Sequence, residues 1–316
     1  MKLNPYSNAH NGVFIGLYPF LLVVVLLVIH YFSGVLALDN NGSVREQRDF
    51  NSAIGMTLLS GYFCLCLQLN HKNVLSTMIS ILVKTNQLSH LSQHRQKLFT
   101  KFQLHTINSL ITAIFATVMY VIVENLLFSE VKLYQYVITG CAVLFWFLFF
   151  LFLIQSTSNV SYLKKHVLSQ TENYIDYLNS LSSLARLSLT NATLSIGAFS
   201  LFPIFWINKN VPFLDIAMTL LVLCIIAFYL FYPVLKLHSQ WLNGKNKKCK
   251  ELNERVNKEM SSEKLVLSEQ ELEGINSLSI NLYGVKDKIR FIACALLIAI
   301  SWGIVLIFSP SFKMHL

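Results

Sequence analysis

Charged residues are scarce in this chain, at 13% of 316 residues, whereas 54% of the residues are hydrophobic. Soluble domains carry about twice that charged fraction, so the composition excludes a soluble enzyme and a disordered tail. Proline is rare too, with none between Pro19 and Pro203 or between Pro233 and Pro310. The six cysteines follow no spacing typical of a secreted disulfide scaffold. The composition therefore indicates an integral membrane protein.

Motifs of catalysis and cofactor binding are missing as well. The sequence has no H-E-x-x-H, no Walker glycine loop, no G-x-S-x-G and no paired-cysteine zinc spacing. Cys64 and Cys66 lie in an apolar run with no histidine near them, which argues against a metal site there. We therefore expect no enzymatic activity, no cofactor and no metal. Because the basic residues are dispersed without stacking aromatics, we also expect no nucleic-acid partner.

Long apolar runs predict seven transmembrane helices, because about 20 mostly apolar residues are needed to cross a bilayer. The predicted spans are 13–38, 53–70, 107–128, 133–155, 191–207, 213–235 and 291–309. The fifth span is short and contains Pro203, so six crossings remain an alternative. The fold class is an all-helical integral membrane protein of multi-pass topology, in a plasma or cytoplasmic membrane.

Lysine and arginine are distributed unevenly between the two sides of this plan. The segments after spans two, four and six hold nineteen of them, whereas the opposite segments hold five. Because basic loops stay in the cytoplasm, this bias predicts the N-terminus inside and the C-terminus outside. The net charge of +9 is therefore mainly a signal of orientation.

The predicted cytoplasmic segments at 71–106, 156–190 and 238–290 are long and carry apolar residues at helical spacing. We divide the chain into spans one to six with two of these extensions (1–237), an anchor segment (238–290) and a last span (291–316). The stripes predict a packed cytoplasmic layer; helices lying flat on the membrane surface are the alternative. Asn243-Gly244 predicts a turn within the anchor segment.

Ionisable residues within the spans are few, and they are usually functional where they occur. Only His30, Glu124 and Asp215 qualify, the last two at outer ends of spans. Glu124 suits either an acid wetted at the interface or one that attracts cations or contacts a ligand. Asp215 is placed to complement the dipole at a helix N-terminus. The absence of a deep carboxylate argues against a proton-coupled transporter.

Two familiar seven-helix families do not fit, since the charge bias inverts the topology of G-protein-coupled receptors and the last span holds no retinal-linking lysine. The plan instead resembles the insect odorant and gustatory receptor superfamily of ligand-gated channels. That family's last span carries Thr-Tyr, five apolar residues and Gln-Phe. Here the same register reads Ser301-Trp302, 303–307 and then Phe308-Ser309, so Phe308 replaces the glutamine. The resemblance in topology covers the whole chain, whereas the resemblance in sequence extends only from Tyr283 to Ser309.

This resemblance implies a homotetramer in which the last helix of each subunit lines a central cation pore. Val305 falls at the family's hydrophobic gate, which closes a pore by dewetting. Ser301, Trp302 and Phe308 complete the predicted pore residues. Small residues in this span suit close packing between helices, within one subunit or between subunits.

The resemblance also places a ligand pocket among the outer halves of the spans. The residues predicted there are Tyr120, Glu124, Tyr136, Phe202, Trp206 and Met218. Aromatic and methionine walls suit a small apolar or amphipathic ligand, whereas an interfacial aromatic belt explains the same residues without a ligand. We expect an oligomeric ligand-gated or stimulus-gated ion channel. The alternatives are a membrane effector pore controlled by a cytoplasmic partner, a small-solute transporter and an adaptor that conducts nothing.

Overall fold

The computed structural model describes residues 4–7, 15–37, 43–123, 132–171, 173–207, 213–256, 262–277 and 285–308. The helices in these ranges are α1 (Leu17–Phe32), α2 (Val44–Lys84), α3 (Leu91–Val123), α4 (Leu133–His166), α5 (Tyr174–Phe199), α6 (Phe213–Val256), α7 (Ser262–Ser277) and α8 (Val285–Phe308). Short 3-10 helices lie at Val35–Ala37, Leu88–His90, Leu168–Gln170 and Phe202–Trp206. The prediction of an all-helical fold is therefore confirmed for the described ranges.

Five helical stretches within these ranges are long and apolar enough to cross a membrane. They are Arg45–Lys84, Leu88–Ile122, Leu133–His166, Tyr174–Trp206 and Ala217–Val256, and they correspond to predicted spans two to six. Two shorter apolar stretches, Leu17–Phe32 and Ala295–Ile304, correspond to the first and last spans. By length and composition the chain is a membrane protein. The crossings at 13–38 and 291–309 stay predictions.

Local sequence signals set several helix ends. Ser43 and Glu46 form a capping box at the start of α2, in which each side chain accepts a hydrogen bond from the other residue's N–H, at 3.3 and 3.2 Å. The Asn173 side chain accepts a hydrogen bond from the Ile175 N–H at the start of α5. Asn86 takes a positive φ of 57° in the turn between α2 and α3. The α5 helix ends before Pro203, where the sequence predicts an interruption.

The amphipathic stripes outside the predicted spans pack against one another. We call this cluster the layer core; it joins α2 (Val74, Leu75, Met78, Ile81, Leu82), α4 (Val160, Tyr162, Leu163), α5 (Leu178, Leu181, Leu184) and α6 (Leu237, Trp241). Burial of each large apolar side chain from water stabilises the fold by about 1.5–3 kcal/mol. The stripes of α2, α4 and α5 therefore form a helical layer, and the alternative of flat surface helices does not hold for them. Leu88 departs from the pattern and is half exposed.

A second core lies within the predicted spans of α2 and α4 and is rich in phenylalanine. The ring of Phe63 on α2 lies 5.4 Å from that of Phe149 and 5.8 Å from that of Phe152, both on α4. Within a bilayer no hydrophobic driving force acts between helices, so close packing and ring contacts hold such pairs together. This core positions α2 and α4 at the centre of the bundle.

Apolar residues on α3 face away from the bundle. They are Ile107, Ile111, Ile114, Phe115 and Val118, and each is about half exposed or more. A continuous apolar stripe of this kind is unfavourable in water and suits contact with lipid chains. The exposed stripe lies within predicted span 107–128, which agrees with a membrane-facing helix.

The predicted turn at Asn243-Gly244 is wrong, because α6 continues through both residues to Val256. Tyr174 on α5 donates a hydrogen bond to the carbonyl oxygen of Gly244 at 2.9 Å. A Cβ atom at position 244 would meet the Tyr174 hydroxyl oxygen at the same distance. Trp241, one turn earlier, is buried in the layer core. These contacts offset the cost of about 1 kcal/mol for glycine in a helix.

Candidate pore helix and polar layer

The last helix, α8, lies at the edge of the bundle. Within the described residues its contacts are mainly with α5 and with the 3-10 helix Phe202–Trp206. Trp302 supplies two of them: its indole N–H donates to the carbonyl oxygen of Phe199 at 3.3 Å, and its ring lies 5.3 Å from that of Trp206. The Phe199 carbonyl belongs to the last turn of α5, where helix geometry leaves carbonyl groups without a partner in the helix. Trp302 therefore anchors α8 to the end of α5.

Ser301, the other predicted pore residue with a described side chain, is satisfied within its own helix. Its hydroxyl donates to the carbonyl oxygen of Ile298 at 2.9 Å, and the side chain is half-buried. Val305 and Phe308 lie in the last turns of α8, but their side chains are outside the described residues. The predicted gate at Val305 is therefore placed on a helix and stays a prediction.

Most of the other described side chains of α8 are apolar and exposed. Ile292, Leu296, Ile300 and Ile304 follow one another at four-residue spacing, and each is between 49% and 57% exposed. Ala293, Ala295 and Ala299 are exposed too. A helix that is apolar on most of its circumference needs lipid or another protein surface around it, and its small residues permit a second helix to approach closely.

Two residues of the predicted ligand pocket, Phe202 and Trp206, lie on the same 3-10 helix. Phe202 contacts Phe205 at 6.2 Å between ring centroids, and Trp206 contacts Trp302. Tyr136 on α4 and Met218 on α6 are 65% and 56% exposed.

Tyr120 on α3 is half-buried, and Glu124 lies outside the described residues. Two cavities, of about 540 and 830 Å³, are lined by other residues. Trp206, through its contact with Trp302, is thus the predicted pocket residue that adjoins α8 in the described part of the chain.

A layer of buried polar side chains, which sequence reasoning missed, crosses the bundle at the ends of three predicted spans. Asn70, Gln155 and Asn191 are the residues at these ends, and each is at most 2% exposed. The Asn191 amide donates to Asn70 Oδ1 at 3.2 Å and approaches the carbonyl oxygen of Ser156 at 3.4 Å. Gln155 Nε2 lies 3.0 Å from His105 Nδ1. Buried amides favour such partners because an unpaired one costs about 1–3 kcal/mol.

Tyr6, from the segment before α1, completes this polar layer. Its side chain is fully buried, and its hydroxyl lies 3.2 Å from Gln155 Oε1 and 3.4 Å from Asn159 Oδ1, where it donates. Its ring lies 5.0 Å from that of His71. Burial raises the pKa of the Tyr6 phenol, so the group stays a neutral donor. The signal in the sequence was the position of Asn70, Gln155 and Asn191 where apolar runs end.

A second polar cluster lies further from the predicted spans, between α3 and α4. His94 Nδ1 lies 2.9 Å from the Tyr162 hydroxyl oxygen, and the ring of Tyr162 lies 4.9 Å from that of His166. Burial, followed by the charge of Lys97, lowers the pKa of His94. Burial also lowers the pKa of His166 and raises that of Tyr162 to about 12. These shifts favour a neutral cluster at physiological pH.

The arrangement offers no sign of a metal centre: within the described ranges no three His, Cys, Asp or Glu side chains lie close enough to hold an ion. Cys64 and Cys66 are free thiols there. Comparison of the chain with family models, curated proteins and solved structures finds no match. The geometry of α8 and of the bundle around it is therefore the basis for assigning a function.

Proposed function

We propose that this protein is an oligomeric, stimulus-gated ion channel whose pore is lined by α8. The observation that carries the proposal is the apolar surface of α8, along which the described part of the chain leaves Ile292, Leu296, Ile300 and Ile304 uncovered. Around an axis shared by several subunits, such helices form a ring. The alanines on this surface allow close approach. The resemblance of the sequence to insect chemoreceptor channels favours four subunits.

The proposed orientation has the N-terminus and the layer core in the cytoplasm, with seven crossings. The bias of nineteen basic residues against five supports it. The position of Tyr6 supports it too, because this residue packs into the polar layer at the ends of spans two and four, on the side of the layer core. An N-terminus on that side agrees with the charge bias.

In the proposed gate, apolar side chains near Val305 narrow the pore until water leaves it. Dewetting of this kind blocks ions without any charge in the pore wall. The contact between Trp206 and Trp302 provides a mechanical link to the predicted ligand pocket. A small apolar ligand against Phe202 and Trp206 would shift Trp302 and with it α8. Ligand affinity that differs between closed and open states is what makes such a ligand an agonist.

Recording from purified protein in planar bilayers tests the proposal. We expect discrete unitary currents, together with a symmetric particle that has a central opening when viewed along the membrane normal. Saturable solute flux without unitary steps would instead indicate a transporter. Currents that need a soluble cytoplasmic partner would indicate an effector pore, and a particle without a central opening and without currents would overturn the channel proposal.

Orientation has a separate test. An epitope fused after Leu316 is expected to be accessible to an impermeant antibody in intact cells. An epitope at the N-terminus is expected to be accessible only after permeabilisation. Reversal of the two results would overturn the proposed orientation.

A further inference from the structure

A cavity of about 830 Å³ lies between α3, α4 and α6, and three lysines line it. Lys101 comes from α3, Lys164 from α4 and Lys236 from α6. Thr157 and Tyr229 add hydroxyl groups, whose oxygen atoms lie 3.0 Å apart. We call this space the lysine cavity. Its size is within the range of small-molecule sites.

In the described part of the chain, none of these three lysines forms an ion pair with a carboxylate. The Lys164 ammonium donates to the side-chain oxygen of Gln240, which is uncharged. Burial lowers the pKa of Lys164, and the charge of Lys236 lowers it further. Lys164 and Lys236 thus repel each other, so an anion in the cavity relieves an existing cost. The Lys101 ammonium lies 4.8 Å from the centre of the Tyr162 ring and adds a third positive charge to the cavity lining.

The opposite end of the lysine cavity is apolar and open. Ile225 and Phe228 on α6 line it and are 60% and 67% exposed. Eleven residues separate Ile225 from Lys236, which is about 16 Å along a helix. The cavity thus changes from an apolar surface to a basic one over roughly the length of a phospholipid headgroup and its first acyl carbons. A small soluble anion has no apolar part that could contact the apolar end.

The basic end of the cavity lies at one level relative to the predicted spans. Lys236 follows span 213–235 directly, Lys164 is nine residues beyond span 133–155, and Lys101 is six residues before span 107–128. At 1.5 Å per residue, all three lie within about 14 Å of the predicted membrane boundary, on the same side. Phospholipid headgroups extend about 5–8 Å beyond the hydrocarbon core, where Lys236 lies. The long side chains of Lys101 and Lys164 can extend back towards that level.

We propose that the lysine cavity binds the headgroup of an anionic phospholipid, whose acyl chains lie along Ile225 and Phe228. Basic cavities between transmembrane helices on the cytoplasmic side are known to bind such headgroups. The three ammonium groups contact the phosphate oxygens, and the Tyr229 hydroxyl rotates away from Thr157 to donate to another of these oxygens. The site does not depend on channel activity.

Binding of fluorescent lipids to the purified full-length protein tests this assignment. Labelled phosphatidylinositol 4-phosphate is expected to bind at least tenfold more tightly than phosphatidylcholine with the same label. The triple substitution K101Q/K164Q/K236Q is expected to weaken binding on the order of a hundredfold, at roughly fivefold for each lysine. The control is Lys165→Gln, which changes the neighbouring exposed lysine outside the cavity. It should leave the affinity unchanged.

Equal affinity for the two lipids, or the same loss in Lys165→Gln, overturns the proposal. If the triple variant does not purify as a single species, Lys236→Gln alone serves as the test, because this side chain is exposed; a roughly fivefold loss is expected. Soluble inositol 1,4-bisphosphate separates a lipid from a free phosphorylated solute, since it lacks acyl chains. It should compete only weakly with the lipid. Phe228→Ala should weaken the binding of the lipid and leave that of inositol 1,4-bisphosphate unchanged. Competition as strong as that of the lipid overturns the assignment.

Discussion

The hydroxyl group of Tyr62 on α2 occupies the space that a side chain at Gly197 on α5 would need, so a Cβ atom there would overlap the hydroxyl oxygen. The same hydroxyl donates to the carbonyl oxygen of Leu194 at 2.7 Å. The two helices approach closely at this point because position 197 has no side chain. This relationship is specific to two residues that lie far apart in the sequence.

Gly197→Ala is therefore expected to destabilise the protein. Displacement of Tyr62 breaks its hydrogen bond and overpacks the interface, and the better helix propensity of alanine recovers about 1 kcal/mol. We expect a net loss of about 1–2 kcal/mol, measured as a lower melting temperature in nanodiscs.

The control for this substitution is Gly140→Ala, where a new Cβ meets no atom within 4 Å; it is expected to be neutral or slightly stabilising. The double variant Gly197→Ala/Tyr62→Phe removes the overlapping oxygen and should be more stable than Gly197→Ala. An equal loss in both glycine variants would contradict the interpretation.

The buried pair Asn70 and Asn191 predicts a non-additive result. Asn191→Leu leaves the Asn70 amide without this partner in a buried site, at a cost of about 1–3 kcal/mol. Asn70→Leu/Asn191→Leu removes both polar groups and is expected to recover much of that loss. Thermal melting of the two single variants and the double variant gives the coupling energy. Additive losses would show that the two amides do not interact.

His94 predicts how stability depends on pH. Its pKa is lowered in the folded protein, so between that value and 6.5 the unfolded chain binds more protons than the folded one. The stability that His94 contributes to the folded protein is complete above pH 6.5. It declines as the pH falls towards the pKa of His94 in the folded state.

The melting temperature should therefore decrease between pH 7.5 and 5.5. His94→Gln keeps a hydrogen-bonding group beside Tyr162 but does not titrate, so its decrease should be shallower. Part of the decrease should persist because His166 has a lowered pKa as well. Parallel curves for the two proteins would exclude His94 as the source.

Trp302 is expected to hold α8 in place. Trp302→Phe keeps an aromatic ring facing Trp206 but removes the N–H that donates to the Phe199 carbonyl oxygen. Loss of this hydrogen bond should destabilise the docking of α8 by about 1 kcal/mol. We expect it to appear as faster hydrogen exchange in α8. Trp206→Phe leaves that hydrogen bond intact and is expected to change exchange in α8 less. The reverse order would show that ring packing, and not the hydrogen bond, anchors the helix.

Val305→Ala is expected to raise the open probability of the proposed channel, because a wider apolar ring holds water more readily. Single-channel recording measures this directly. Ile114→Ala is a suitable control, since it shortens an exposed apolar side chain on α3, far from α8 in the sequence. Its currents should match those of the unmodified protein. Currents that no substitution from Ser301 to Phe308 alters would argue against α8 as the pore lining.

Helices and their buried faces could be predicted from the sequence, because the spacing of Leu178, Leu181 and Leu184 encodes one face of a helix whatever lies opposite. The continuation of α6 through Gly244 could not be predicted in this way. It depends on Tyr174, seventy residues earlier in the chain, which hydrogen bonds to that position. A local propensity cannot report such a contact.

The contacts within the candidate site could not be predicted from the sequence either. The residues Phe202 and Trp206 were predicted for a pocket and Trp302 for a pore, but nothing in the sequence indicated that Trp206 and Trp302 touch. The pairing of Asn70 with Asn191 spans 121 residues and depends on the relative register of two helices. Periodicity identifies which face of each helix is buried and leaves that register undetermined.

The position of Tyr6 has a consequence for the order of assembly during synthesis. Its hydroxyl is held by Asn159, which is 153 residues later, so the ribosome must finish most of α4 before this contact can form. The closure of so long a loop carries an entropic cost that grows only slowly with length. The segment around Tyr6 therefore lacks this partner until α4 has been synthesised.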